Sequence, residues 1–260
     1  MDANANLPNT SVSADTAPLP GAVSGTDQLL YDTVADTPPT TIADVLSRMQ
    51  QIDALLPSND GLKWFNRMYL MVTQQVDLHP PGGAWQSPLW LTRLDVVFAC
   101  LYFGAVRDYV SGKTVSSAWS ALLDARERVG VDRIQFALAG MNAHINHDLA
   151  LALLETNSEL GMTPSLNGPE HTDYLSVNEL LNTLMPETLN MFATDTLGVL
   201  AEDTGKIGRL LAFWDICAAR NLAWDFAGHL EDLNDVGREV ALRTQDAMTG
   251  LVGCALLASV

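Results

Sequence analysis

Polar residues that could move protons or bind a metal cluster in one apolar stretch near the middle of the chain. With about 100° per residue in an α-helix, the apolar residues of 135–149 fall on every side, which predicts a buried helix. A buried polar group without a hydrogen bond costs about 1–3 kcal/mol, so the polar members need partners or a cavity. They are Gln135, Asn142, His144, Asn146, His147 and Asp148.

The strongest catalytic candidates in this stretch are a histidine and an aspartate four residues apart. His144 and Asp148 lie on one face of a helix, where the carboxylate can orient the imidazole and raise its basicity. This spacing predicts a general acid/base pair, with His147 as a further catalytic candidate. We expect three amides to hold or polarise substrate oxygens: Gln135, Asn142 and Asn146.

Two other interpretations of the same residues stay open. His144 and His147 are three residues apart and could ligate a metal together with Asp95, or with Asp225 and His229 of a later helix. The chain has no HExxH motif and no cysteine cluster to complete such a site. In the remaining interpretation the buried polar residues only fix the register of neighbouring helices.

Large side chains elsewhere in the chain could line an apolar pocket. Most aromatic residues are expected to pack in the core, but some could contact a substrate. The candidates, together with the isolated carboxylate Asp95, are Tyr69, Tyr102, Trp214 and Trp224.

The amino-acid composition disfavours some classes of binding partner. The 260 residues include 14 Lys and Arg against 31 Asp and Glu, a net charge of −17, which disfavours nucleic acid and anionic membranes as partners. Three scattered cysteines and the absence of a secretory signal predict a cytoplasmic protein. No sequence motif for a nucleotide, flavin or pyridoxal cofactor is found, so we expect none.

Apolar periodicity predicts a single all-α domain over residues 41–260, a bundle of about nine helices around the buried central helix. Residues 1–40 lack this periodicity and are rich in Pro, Ser, Thr and Asp, which predicts a disordered acidic arm. The apolar segment 251–260 predicts burial, against its own domain or in a homodimer. The expected helices are 41–56, 59–76, 88–110, 114–129, 132–160, 174–185, 187–200, 206–233 and 236–259.

Three segments carry a resemblance to a known family. They read DGLKWFNRMY over 60–69, LDVVFA over 94–99 and AGMNAHINHDL over 139–149. From about Thr41 to the C-terminus the chain resembles a bacterial, all-helical family of unknown function, and the third segment, with N-A-H-I-N-H-D-L, is its most specific part. The resemblance implies the helical fold and the domain boundaries, and implies no particular activity.

These observations favour a small-molecule enzyme of bacterial metabolism, including specialised metabolism. Acid/base catalysis on a largely apolar substrate suits a cyclase, isomerase or lyase better than a redox enzyme. The alternatives are a metal-dependent hydrolase or oxygen-using enzyme, and a non-catalytic binding or interaction protein.

Overall fold

The structure, a computed structural model, describes residues 25–78, 80, 84–194 and 215–258. All regular secondary structure in these ranges is helical, which confirms the all-α prediction. Since α6, a π turn and α7 follow one another without a break, the described ranges contain nine separate helices. The elements are α1 Gly25–Ala35, α2 Ile42–Leu55, α3 Gly61–Leu78, α4 Pro88–Val110, α5 Ser117–Leu123, α6 Arg133–Ala143, the π turn His144–Asp148, α7 Leu149–Leu160, α8 Pro169–Thr194, α9 Ile216–Asp232 and α10 Asp235–Leu256.

The helix formed by α6, the π turn and α7 is the centre of the bundle. Every residue of α6 from Ile134 to Ala143 is buried, as the all-round apolar pattern predicts. This segment packs between α3 and α10, while α7 packs against α4 and α9. The helices approach closely at Gly140, where a Cβ would overlap Phe65, and at Gly61, where one would overlap Phe136.

Polar contacts at helix ends fix the neighbouring helices. Thr41 and Asp44 form a capping box at the start of α2: the Thr41 hydroxyl accepts the Asp44 N–H, and the Asp44 carboxylate accepts the Thr41 N–H. At the start of α4, the buried carboxylate of Asp173 accepts the N–H groups of Gln86 and Ser87 at 2.9 and 2.7 Å. This second contact joins α8 to α4, the two helices that lie on either side of the cavity described below.

The N-terminal boundary differs from the prediction. Helix α1 lies inside the stretch expected to be disordered, and its Leu30 and Val34 are buried against the other helices. Asp27 of this helix also pairs with the buried Arg126 at 2.7 Å. The two apolar side chains and the ion pair attach this short helix to the rest of the bundle. The mostly polar composition of the segment did not indicate these contacts. Residues 1–24, the rest of the expected arm, lie outside the described ranges.

Two other helix predictions were wrong in length. Only Ser117–Leu123 of the expected helix 114–129 is helical. The chain leaves the helix because Arg126 turns inward, where its Nε donates to Asp60 and its carbonyl accepts the Gly61 N–H. The helices expected on either side of Pro186 form one continuous helix, α8, as far as Thr194. Residues 195–214 of the expected helices lie outside the described ranges.

Two apolar segments bear on membranes and dimers. Helix α4 is long and apolar enough to cross a membrane by length and composition alone, and 56% of its most apolar stretch is buried among other helices. Core helices of soluble proteins share this property. Near the C-terminus, Leu257 is buried while Leu251 and Val252 are exposed, so the terminal apolar segment is only partly covered within this chain. The homodimer stays a prediction.

Candidate active site

The central helix widens at the candidate catalytic residues. Over His144–Asp148 the chain forms a π turn, in which the Leu149 N–H donates to the carbonyl of His144, five residues earlier. Sequence periodicity predicted an uninterrupted α-helix here. Single π turns inside α-helices occur frequently at functional sites, and the wider turn changes which side chains lie above one another.

A buried His144–Asp148 pair occupies this turn. The Nδ1 of His144 lies 3.0 Å from Oδ2 of Asp148, and the same oxygen accepts the Nε1–H of Trp119 at 2.9 Å. The ring of Phe98 stacks on the imidazole, with centroids 3.5 Å apart and an interplanar angle of 6°. Tyr69 adds an edge-on contact at 4.5 Å. Packing and hydrogen bonding together fix the orientation of the imidazole.

His144 combines a neutral ring with an unpaired nitrogen. Burial lowers the pKa of His144 below its ordinary value, and this effect outweighs the opposing hydrogen bond and charge of Asp148. Because Nδ1 faces an ionised carboxylate, we assign the proton to Nδ1, which leaves the lone pair on Nε2. That Nε2 is buried and has no hydrogen-bond partner among the described residues. A fixed, neutral imidazole with a free lone pair is equipped to accept a proton.

His147 contacts the other oxygen of Asp148. Its Nδ1 lies 2.7 Å from Asp148 Oδ1, and its Nε2 lies 3.8 Å from Oδ1 of Asp246. Burial opposes its charge, but Asp148 and Asp246 outweigh burial and raise the pKa of His147. In Asp148 itself, the hydrogen bonds from both histidines overcome burial and lower the pKa. His147 therefore keeps Asp148 ionised and does not line the cavity described next.

A small cavity lies beside His144, which forms part of its lining. Its volume is about 40 Å³, enough for a few water molecules. Its polar lining consists of Tyr69, Thr73, Asp95, His144 and Arg220. Its apolar lining comes from α3, α4, α6, the π turn, α8 and α9: Val72, Val76, Phe98, Met141, Ile145, Val177, Leu181 and Ile216. A few convergent polar groups in an apolar wall are typical of small-molecule sites.

Two acids of this cavity hold their protons unusually tightly. Asp95 is half-buried and lines the cavity, and its burial, with a smaller contribution from Asp77, raises its pKa to about 7 against the opposing charge of Arg220. No described residue donates a hydrogen bond to it. Burial and the nearby charges of Asp95 and Asp148 raise the pKa of Tyr69 well above its ordinary value. At neutral pH the tyrosine is thus a hydrogen-bond donor, and Asp95 can give or take a proton.

Arg220 brings a buried positive charge to the same cavity. The side chain is 7% exposed, its Nε donates to Asn178 Oδ1 at 2.6 Å, and its guanidinium lies 4.3 Å from the ring centre of Tyr174. Asn178 is held in turn by Asn221, to whose Oδ1 it donates at 2.9 Å. Among the described residues, no carboxylate oxygen lies within 4.0 Å of this guanidinium, so none of them forms an ion pair with it.

The three amides expected to contact substrate lie elsewhere. Gln135 donates to the carbonyl of Leu256 at 2.7 Å, and Asn142 donates to that of Thr249 at 2.9 Å. Asn146 donates to Asn142 Oδ1 at 3.0 Å. These bonds fix α10 to the central helix, and none of the three amides lines the cavity.

Of the aromatic candidates, only Tyr69 lines the cavity. Tyr102 is fully buried in the core, where its hydroxyl donates to Asn66 at 3.3 Å. Trp224 packs on Tyr174, with ring centres 4.9 Å apart, outside the cavity lining. Trp214 lies outside the described residues.

The alternative metal ligands do not come together. Asp225 and His229 are exposed on α9, whereas His144 and Asp95 face the internal cavity and His147 lies behind Asp148. Within the described ranges, no three His, Cys, Asp or Glu side chains are grouped closely enough to hold a metal ion. The predicted ligand set is therefore not assembled as a site.

Sequence patterns did not single out two residues of this site. Arg220 is the only cation in the otherwise mostly apolar run 216–224, which is a signal that it could be buried. Trp119 supplies a hydrogen bond to Asp148 from a separate helix, α5, and no local spacing indicates that contact.

The described residues form an all-α bundle with a buried histidine–aspartate pair at the wall of a small cavity. The chain belongs to DUF5995, a family of unknown function, whose model matches residues 42–259. This match confirms the family resemblance seen in the sequence. No curated protein and no solved structure matches the chain.

Proposed function

We propose that this protein is a small-molecule enzyme that works by acid/base catalysis, as an isomerase, cyclase or lyase. The observation that carries the proposal is the Nε2 of His144: it is buried and unpaired, and it belongs to a ring oriented by Asp148 at the cavity wall. A buried nitrogen without a partner costs free energy, and a substrate C–H or O–H in the cavity would give it one.

The lining residues supply the two proton transfers that an isomerisation needs. His144 Nε2 removes a proton from the substrate, and the resulting imidazolium is stabilised by the adjacent Asp148 carboxylate. Asp95, which is about half protonated near pH 7, delivers a proton to a second substrate atom. In an elimination the same proton would go to a leaving hydroxyl group, which departs as water.

Besides removing one proton and delivering another, the site must stabilise the negative charge that develops on the substrate. The Tyr69 hydroxyl suits this task, because it stays protonated and Tyr69 lines the same cavity. Its O–H can donate a hydrogen bond to an oxygen that becomes negative as the first proton leaves. The cavity volume restricts the substrate to a small, largely apolar molecule. We place this chemistry in the bacterial cytoplasm; the unbridged state of Cys100, Cys217 and Cys254 supports a reducing compartment.

Proton exchange with solvent tests the proposal before the natural substrate is known. Small aldehydes, ketones and carboxylic acids are incubated with the protein in D₂O, and loss of C–H signals is followed by proton NMR. We expect the wild-type protein to accelerate exchange at one carbon of at least one compound, and His144→Ala to lose that acceleration.

His229→Ala is the matched control, since His229 is exposed on α9, and we expect it to exchange at the wild-type rate. Circular dichroism of each variant shows whether the helical fold is intact. If a folded His144→Ala variant exchanges as fast as wild type, His144 is not the base. If wild-type protein exchanges no compound and His144→Ala unfolds, the polar residues have a structural role.

A further inference from the structure

We infer that the cavity binds small monocarboxylates, with Arg220 holding the carboxylate group and the apolar wall holding the short carbon chain. This inference rests on the proposed function, for which it names the substrate class. It starts from Arg220, a buried arginine that lines the cavity and lacks an ion pair among the described residues.

The contacts of Arg220 leave part of its donor capacity free. Nε donates to Asn178, and Nη2 makes a long contact of 3.5 Å with the Tyr174 carbonyl. No described residue accepts a hydrogen bond from Nη1. The bond from Asn178 to Asn221 holds the guanidinium plane in place, so the group is ordered before a ligand arrives.

A carboxylate is the ligand that this arrangement fits. Guanidinium groups bind carboxylates through short, directional, charge-assisted hydrogen bonds, and a buried cation is costly until an anion pairs with it. Phosphate would bring a more highly charged group with no apolar part into a cavity whose wall is mostly apolar. The apolar residues Val177, Leu181 and Ile216 border the same space and suit a short alkyl chain.

Asp95 couples this binding to a proton. Its carboxyl group lines the cavity opposite an incoming anion, and the charged or titratable groups that face it are Tyr69 and Asp77 of α3, His144 of the π turn and Arg220 of α9. Two carboxylates in one small cavity repel each other, so a bound carboxylate favours the protonated form of Asp95. Binding would thereby load the acid that the proposed reaction uses.

Calorimetric titration with butanoate tests the inference, with butanamide as its uncharged analogue. We expect wild-type protein to bind one butanoate per chain and to bind butanamide at least about tenfold more weakly. Arg220→Gln should remove the preference for the anion. The control Arg243→Gln removes the same charge from an exposed position on α10 and should keep the preference.

The affinity for butanoate should fall about tenfold between pH 6 and pH 8 in wild-type protein, and Asp95→Asn should abolish this dependence. Equal affinities for butanoate and butanamide, an unchanged preference in folded Arg220→Gln, or no butanoate binding would each overturn the inference. If Arg220→Gln does not fold, the affinities of wild-type protein for butanoate and butanamide still show whether the cavity prefers the anion.

The two proposals fail separately. Selective butanoate binding without proton exchange on any compound would leave the carboxylate site standing and refute acid/base catalysis. His144-dependent proton exchange on neutral ketones, with no preference for carboxylates, would support acid/base catalysis and refute the carboxylate site.

Discussion

Replacing the cavity carboxylate Asp95 with asparagine should make the protein more stable at neutral and alkaline pH. In the folded protein the pKa of Asp95 is raised from 3.8 to about 7, mainly by burial. The unfolded chain thus loses this proton near pH 4, while the folded chain keeps it until about pH 7. Stability is lost as the pH rises through this window.

The size of the effect follows from the width of the window. About three pH units, at about 1.4 kcal/mol each, give an upper value of about 4 kcal/mol above pH 7. Because the carboxyl group is partly exposed to the cavity, we expect Asp95→Asn to gain about 2–4 kcal/mol at pH 8 and about half of that at pH 5.5. Both conditions lie above the isoelectric point of about 4.4, so the protein keeps a negative net charge.

Urea unfolding of wild type, Asp95→Asn and Asp225→Asn at the two pH values measures the effect. Asp225 is exposed on α9, so its variant removes the same charge without relieving any burial and corrects for the high overall negative charge. A gain from Asp95→Asn that equals the gain from Asp225→Asn at both pH values would refute the argument. The argument would also be refuted if the free energy of unfolding of wild type rose between pH 5.5 and pH 8 relative to that of Asp95→Asn.

Three further substitutions test the surroundings of the site. Asp148→Asn should lower the free energy of unfolding at pH 7 by about 3 kcal/mol, because three donors lose a buried charged acceptor. Folding lowers the pKa of the Asp148 carboxyl group from 3.8. The difference between wild type and variant should therefore shrink as the pH falls below 3.8 and wild-type Asp148 becomes protonated. Gly140→Ala should cost about 2 kcal/mol or more in thermal unfolding, since its Cβ would overlap Phe65, whereas Gly228→Ala has open space and should gain up to about 1 kcal/mol. Asn142→Ala should cost about 1–3 kcal/mol in urea unfolding and leave proton exchange unchanged, because its amide bonds α10 and not the cavity. An Asn142→Ala variant with wild-type stability but no catalysed proton exchange would instead indicate that this amide belongs to the catalytic site.

Local periodicity was sufficient to predict most of the fold. The buried central helix and the positions of α2, α3, α4, α9 and α10 follow from where apolar residues recur and where Pro and Gly interrupt them. The family model covers residues 42–259, and the division of the chain into an arm and one domain stays a prediction. Helix α1 was missed because its order depends on contacts with distant residues, Arg126 among them, which no local pattern shows.

The site was predictable only as far as one helix carries it. The spacing of His144 and Asp148 gave their contact correctly, because both belong to the same turn. The same helix also carries Gln135 and Asn142, but the sequence does not show which face meets a cavity and which meets α10. Arg220 was missed for a related reason: its role depends on how α9 packs against the π turn and α7, which are distant from it in the chain.

The central claim is that His144 presents a neutral Nε2 lone pair to the cavity. Nitrogen–proton correlation NMR of ¹⁵N-labelled imidazoles reports directly which ring nitrogen carries the proton, and the signals absent from His144→Gln assign this residue. We predict that at pH 7 His144 is neutral, with its proton on Nδ1, because burial lowers its pKa from 6.5. A proton on Nε2, or a doubly protonated ring at pH 7, would contradict the account.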